Sequence, residues 1–299
     1  MLKAALKQAY RQVPFKGVLF GALRPLRLPR ALTLRLRFSG DVTVPIGQTS
    51  IRLENDHYFV ESDLFWSGFG NGWEGTSLKL WTHLAASSTF VLDIGANTGI
   101  YALAAKAVNP AATVVAFEPL QSVYGTLARN VSINRLVIGT EDLAMSDHAG
   151  TAALFEDRSD HTVATIEVAE IPVLNQAVHT VVTARLDSYL DARGGEAPDL
   201  LKLDVEGHEA AVLRGMGRYL AEMPTLIIEI LSDEVAAQVE ALVRPLGYRL
   251  LLIRELEGVT EVRHLQGGGQ GSRNFVLCAQ ATADTLLTMF ALPPARAQP

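Results

Sequence analysis

Short apolar, β-branched runs recur along the middle of the chain, each followed by a segment with helical spacing of its apolar positions. Phe90–Ile94, Thr113–Phe117, Leu200–Val205 and Leu226–Ile230 predict buried strands. Helices follow them at Ile100–Val108, Ser122–Asn134, His208–Gly215 and Glu234–Pro245, and Val137–Ala144 can hold a further strand. Strands apolar throughout their length, alternating with helices, predict a parallel sheet covered on both faces. Arg249–Ile253 and Phe275–Ala279 lack a helical pattern between them and are joined by the polar, glycine-rich stretch around 267–271, which predicts an antiparallel hairpin at the end. The expected fold is therefore α/β: a doubly wound, mostly parallel, seven-stranded Rossmann-like sheet closing on that hairpin.

The ends and one interior stretch depart from the alternation. Residues 1–40 read as a basic amphipathic arm, helical at first and then broken by Pro25 and Pro29. Residues 41–73 form an extension: a β-hairpin between Val42 and Val60, turning near Gly47 and Asn55, then an aromatic and glycine-rich loop from Trp66 to Trp73. The main domain is expected over 74–285, beginning with a helix at Glu74–Leu84, and a tail occupies 286–299 with a disordered end at Pro293–Pro299. Within the domain, 151–189 is β-prone and predicts an insertion of strands and loops over the pocket side.

Composition narrows the class. Apolar residues make up 48% and charged residues 19%, which suits a globular chain. The single cysteine, Cys278, excludes an intrachain disulfide and a cysteine-based zinc cluster, and it reads as a small core residue. The net charge is −6, but 1–40 carries nine Lys and Arg with no acid, leaving the remainder near −15. So acidic a body excludes broad nucleic-acid binding, which depends on neutralising phosphates. Val18–Leu23 is too short to cross a bilayer and is flanked too closely by Lys16 and Arg24 to be a signal-peptide core, so a cytoplasmic location is expected. The arm itself has two readings: peripheral contact with the inner face of an anionic membrane, or packing against its own domain or a second subunit of a homo-oligomer. Packing is the commoner use of such a segment.

Three strand ends carry the chemistry. Asp93-x-Gly95-x-Asn97-x-Gly99 follows a strand and opens a helix, where glycines admit a ligand and free N–H groups meet a carboxylate. Alone it is equally a tight turn without a ligand. Glu118, with Pro119 after it, ends the next strand at the place of an acid that holds a ribose diol. The Gly-x-Gly-x-x-Gly fingerprint is absent, so a nucleoside with a short polar tail, as in S-adenosyl-L-methionine, suits the pair better than NAD. The third end, Lys202 to Glu209, crowds Asp204, Glu206, His208 and Glu209 together. Asp204 or His208 could take a proton from a hydroxyl, with Glu206 beside them. The plainer reading has Asp204 and Glu206 capping the next helix and pairing with Lys202. A magnesium site from Asp204, Glu206, His208 and Glu229 is conceivable, but no metal is assigned.

Val91 to Gly99, Ala116-Phe117-Glu118-Pro119, Asn130, Ala144-Met145-Ser146-Asp147, Leu186 to Leu190 and Leu201 to Glu209 together resemble the FkbM-type methyltransferases. The resemblance runs in order from about Glu74 to Ile230. It implies a class I methyltransferase fold and S-adenosyl-L-methionine as donor, with O-methylation of a hydroxyl on a sugar, glycan or small natural product. It also implies that Asp93, Gly95, Asn97, Gly99, Glu118 and Pro119 meet the cofactor and that Asp204, Glu206 and His208 face the reaction. Two readings from other classes stand beside it: a nicotinamide-dependent oxidoreductase and a non-catalytic binding protein on the same fold.

Overall fold

The computed structural model describes residues 16–26, 28–157, 160–166, 176–268 and 273–291. The first described elements are two short helices, α1 (Lys16–Leu23) and α2 (Arg30–Thr33), and the hairpin β1 (Val42–Ile46) and β2 (Thr49–Leu53). Every second residue of β1 is buried, which seats the hairpin on the core by one face. A helix not expected from the sequence, α3 (Phe59–Ser67), takes in Trp66 and Ser67, so the aromatic loop is shorter than its glycines suggested. Helix α4 (Gly75–Ala85) leads into the main sheet.

That sheet uses β3 (Phe90–Ile94), α5 (Ile100–Val108), β4 (Thr113–Phe117), α6 (Gln121–Asn134) and β5 (Gly139–Glu141). A second sheet holds β6 (Ala144–Ser146), β7 (Gly150–Asp157), β8 (Asp160–Thr165) and β9 (Gln176–Arg185), in the order β6-β9-β7-β8. The chain returns through α7 (Leu186–Asp191), β10 (Leu200–Leu203), α8 (Glu209–Gly215), β11 (Thr225–Glu229), α9 (Asp233–Val243), β12 (Arg249–Arg254), β13 (Gly258–Glu261), β14 (Asn274–Cys278) and α10 (Gln280–Met289). The main sheet runs β13-β12-β14-β11-β10-β3-β4-β5. Strands β5, β4, β3, β10 and β11 are parallel, and β14 lies antiparallel between β11 and β12.

The Rossmann-like sheet with its antiparallel end is thus present, with a short eighth strand, β13, added at the edge. The segment read as one strand at 137–144 divides: β5 joins the main sheet, and β6 leaves it to pair with β9. Helix α10 passes the boundary placed at 285, burying Ala283 and Leu286. Pro293–Pro299 lies outside the described residues.

Two cores result from the two-residue period of the strands. Val91, Leu200 and Ile227 point to one with Trp81 and Leu103; Leu92, Leu201 and Ile228 point to the other with Leu213 and Val239. Cys278 is fully buried, as expected of a small core residue. The strand order reverses between β3 and β10, which start the two halves of the parallel sheet. A crevice at the carboxyl ends of strands is expected at such a switch point.

Candidate active site

The crevice is a cavity of about 360 Å³ at the carboxyl ends of β3, β4, β10 and β11. On the β3 side, backbone geometry shapes it. Gly95 adopts a left-handed φ of 79°, and a Cβ there would lie 1.8 Å from the carbonyl oxygen of Asp204. Glycine is required because two strand-end loops touch at that point. The N–H groups of Gly95 and Ala96 both donate to the Phe117 carbonyl, at 3.0 and 2.9 Å, so the turn is tied to the end of β4.

Glu118 continues this lattice. The Asn97 N–H donates to its Oε2 at 3.0 Å and the Leu120 N–H to its Oε1 at 2.9 Å. Burial raises its pKa to about 7 against the lowering effect of those two N–H groups. Asp93 Oδ2 accepts the Ala102 N–H at 2.8 Å, which anchors β3 to α5. Burial likewise raises Asp93 to about 7, opposed by the Lys202 charge and by that N–H.

Asp93, Gly95, Asn97, Glu118 and Pro119 all line the cavity; Gly99 does not. A Cβ on Gly99 would meet Leu127 Cδ1 at 2.4 Å, so this glycine serves the packing of α5 on α6. The regular spacing of the three turn residues concealed that difference.

The β10 side is built from charge. Lys202 is buried and gives its Nζ to Asp204 Oδ2 at 2.9 Å. Burial alone would raise the Asp204 pKa, but the Lys202 ammonium and a hydrogen bond from Glu229 outweigh it and hold Asp204 below the usual range. Glu229 pays the converse cost: burial, then the Asp204 charge, push it to about 10. Glu206, at a left-handed φ of 53°, is raised to about 8 by burial and by the charges of Asp204 and Glu209. The cluster thus holds Asp204 toward its ionised form and Glu229 and Glu206 toward their protonated forms.

Asp204, Glu206 and His208, the three residues expected on the reaction side, all line the cavity. His208 Nε2 lies 3.0 Å from Ser146 Oγ. The plainer reading of this segment holds in part. Lys202 does pair with Asp204, but neither Asp204 nor Glu206 caps α8, whose N-cap is His208 without a side-chain cap bond. Glu209 fastens the turn instead, its Oε1 accepting the N–H groups of Val205 and Gly207 at 3.2 and 3.1 Å.

Ligand atoms of Asp204, Glu206 and Glu229 lie within 4.8 Å of one another, and His208 is not among them. The hydrogen bond between Asp204 and Glu229 already accounts for their close approach.

Several wall residues were not picked out in the sequence. Glu61 of α3 accepts from Thr98 Oγ1 at 2.6 Å, and burial lifts it to about 7 despite that bond. Glu74 accepts from Tyr101 Oη and, at 3.1 Å, from Asn274 Nδ2. Its left-handed φ of 43°, strained for a non-glycine residue, is invisible in a sequence. Trp73 lines the cavity, whereas Trp66 gives its Nε1 to the Leu36 carbonyl and packs with Phe20 and Phe65. Phe69 packs against the core. From the insertion, Leu154 and Ile166 reach the wall, and Thr165 Oγ1 donates to the Glu206 carbonyl at 2.5 Å. The side chains of Asp160, His161 and Thr162, also candidates for acceptor contact, lie outside the described residues.

Seven carboxyl side chains thus face the cavity (Glu61, Glu74, Asp93, Glu118, Asp204, Glu206 and Glu229), with Lys202 as the one Lys or Arg among the described wall residues. A largely apolar enclosure with so lopsided a set of polar groups favours a cationic ligand.

Residues 93–250 match the model of the family described as "Methyltransferase FkbM domain". Among similar proteins, Methyltransferase 1 of Beauveria bassiana is 31% identical over 43% of this chain and 58% of its own length. The 31-O-demethyl-FK506 methyltransferase FkbM of Streptomyces tacrolimicus is 28% identical over 54% of the chain and 73% of its own. The hexuronic acid methyltransferase AglP of Haloferax volcanii is 26% identical over 51% and 60%. The chain therefore spans little more than half the length of the Beauveria protein. Among solved structures, precorrin-6y C5,15-methyltransferase of Geobacter metallireducens GS-15 superposes with a TM-score of 0.42 at 11% identity, covering 69% of this chain and 88% of that one.

Proposed function

The chain belongs to the FkbM methyltransferase family, and from that premise we propose that it O-methylates a hydroxyl group of a sugar, a glycan or a small natural product. The observation that carries the proposal is the Lys202–Asp204 pair at 2.9 Å on the cavity wall, which favours the ionised form of Asp204 among carboxyl groups that burial shifts toward their protonated forms. A family match of this kind also sets aside the nicotinamide reading, which drew on the same turn at Gly95 and acid at Glu118.

S-adenosylmethionine is the donor of this family and, when bound, supplies an electrophilic methyl on a positively charged sulfur. The residues present suit it. The lack of a side chain at Gly95 lets the turn after β3 close on the Asp204 carbonyl, which sets the shape of the pocket between them. Each Glu118 oxygen is aligned by one backbone N–H and retains acceptor capacity for a ribose diol. The carboxyl-rich wall favours the cationic end. In the proposed roles Gly95 and Asn97 shape the pocket for the amino-acid moiety, Asp93 braces it through α5, and Pro119 borders the nucleoside.

Asp204 is placed to accept the acceptor's hydroxyl proton; the methyl would pass to that oxygen as its bond to sulfur breaks, and S-adenosylhomocysteine would leave. Lys202 keeps Asp204 ionised, and Glu229 orients it through a shared hydrogen bond. Proximity and alignment supply most of the acceleration, and a positioned base adds about 10²–10⁴-fold. Glu206 and His208 border the acceptor space, His208 being oriented by Ser146. The names of the two relatives, one a hexuronic acid methyltransferase and one acting on 31-O-demethyl-FK506, support a hydroxylated acceptor.

The test is transfer of labelled methyl from the donor to a panel of hexoses, hexuronic acids and polyhydroxylated macrolides. A base-stable methyl ether is expected. Label recovered only as a base-labile ester, or on nitrogen, would refute O-methylation of a hydroxyl.

A further inference from the structure

Helix α1, Lys-Gly-Val-Leu-Phe-Gly-Ala-Leu, is apolar on all sides after its first residue, yet among the described residues only one side of it is buried. Lys16, Phe20 and Leu23, spaced for one helical face, turn inward. Phe20 meets Phe38 edge-on at 5.7 Å and Trp66 at 5.3 Å between ring centroids. On the other side Leu19, Ala22 and Leu26 follow the i, i+3, i+7 spacing through the 3₁₀ turn Arg24–Leu26. All three are exposed, Leu19 to 56% and Leu26 to 66%. A helix apolar all round is normally enclosed all round. Leu32 in α2 is also exposed, at 45%.

Charge identifies the missing cover. Residues 1–40 carry nine cations and no acid; among the described residues Arg35 and Arg37 are exposed, and Arg30 is exposed while pairing with the buried Asp63 at 3.4 Å. From these observations we propose that α1 and the segment through Arg37 form a peripheral docking surface for an anionic phospholipid membrane, with Leu19 and Leu26 entering the interface and the arginines meeting headgroups. Exposed leucines beside a field of one sign match that partner. Nucleic acid would engage the cations and leave the leucines in water. A symmetric contact between two copies would set the two basic arms against each other, because both subunits use the same patch.

The placement joins the surface to the pocket. Arg24 lies over the Phe65 ring and Arg37 over the Phe59 ring, at 5.2 and 5.3 Å, and both rings belong to α3. The same helix supplies Phe59, Val60 and Glu61 to the cavity wall. A membrane held by the arm therefore lies one helix away from the site. This inference stands on the arm alone and is independent of the acceptor.

The test is co-sedimentation of the full chain with vesicles of phosphatidylcholine, with and without phosphatidylglycerol, at low and high salt. Binding to the anionic vesicles alone, weakened by salt, is expected. The double variant Leu19→Ser/Leu26→Ser should lower the partition coefficient roughly tenfold. Arg35→Glu should lower it about fivefold. Circular dichroism and S-adenosylmethionine binding should be unchanged in both, since these side chains are exposed and away from the cavity. Equal binding to neutral vesicles, absence of binding, pelleting without vesicles, or a leucine variant that binds like the parent chain would each overturn the proposal.

Discussion

The two walls of the cavity hold their polar groups by different means. At the ends of β3 and β4 the fixing groups are backbone N–H donors: Asn97 and Leu120 hold Glu118, and Ala102 holds Asp93. At the ends of β10 and β11 the fixing groups are other side chains, with Lys202, Asp204 and Glu229 sharing charge and proton. A backbone lattice sets position and tolerates little change of shape. A cluster of titratable groups sets ionisation and tolerates changes of shape better than changes of charge. The first suits holding a cofactor in one pose, and the second suits moving a proton.

Gly95→Ala attacks the point where the walls meet. Its Cβ would collide with the Asp204 carbonyl in addition to imposing a left-handed φ on a residue other than glycine. A stability loss of about 3–5 kcal/mol is expected in chemical denaturation. A loss under about 1 kcal/mol would show that the loops can separate cheaply.

The charge-built wall is probed by two isosteres. Asp204→Asn should reduce kcat about 10²–10⁴-fold with little change in donor affinity. Glu229→Gln keeps a hydrogen-bond donor toward Asp204 and should cost about tenfold or less. If the glutamine variant proves the worse of the two, the roles of the carboxyl groups are exchanged. For the backbone-built wall, Glu118→Ala should weaken S-adenosylmethionine binding in calorimetry about 10–100-fold, the scale of hydrogen bonds to a charged group. Unchanged affinity would remove Glu118 from the ribose site.

The smallest expected effect is on pH dependence. Burial shifts Glu61, Asp93 and Glu118 up to about 7, from ordinary values of 4.5 for the glutamates and 3.8 for the aspartate. Between those values the folded chain binds more protons than the unfolded chain, so stability falls as pH rises from about 4.5 to about 7. A cationic ligand favours the ionised groups, so donor affinity should rise over that window and level off above it, by about tenfold in all. S-adenosylhomocysteine, without the sulfonium charge, should show a flatter profile. Calorimetry with both ligands across the window measures the difference, and identical profiles would place the cation away from these carboxyl groups.

Much of this was legible in the residues because it depends on local pattern. The strands Phe90–Ile94 and Thr113–Phe117 and the helix Ile100–Val108 lie where the apolar periodicity puts them. Glu118 and Asp204 stand at strand ends, so finding the strands located them. Helix α3 was hidden because Trp66 and the nearby glycines resemble a loop, and Glu61 was hidden with it. Glu74 belongs to no motif, and Asn274, 200 positions away, is one of its partners.

The sequence by itself determined the alternation of strands and helices, the basic character of the arm and the identities of Asp93, Glu118 and Asp204 at the strand ends. These follow from short-range periodicity and residue chemistry. Tertiary structure alone decided that Gly95 must yield to a carbonyl 109 residues later while Gly99, at a left-handed φ of 91°, packs against Leu127. It also decided that Asp204 is shifted toward its ionised form while Glu229 and Glu206 are shifted toward their protonated forms. Close approach and burial are properties of chain segments brought together from afar, and the ionisation of a carboxyl group depends on which charges share its low-dielectric surroundings.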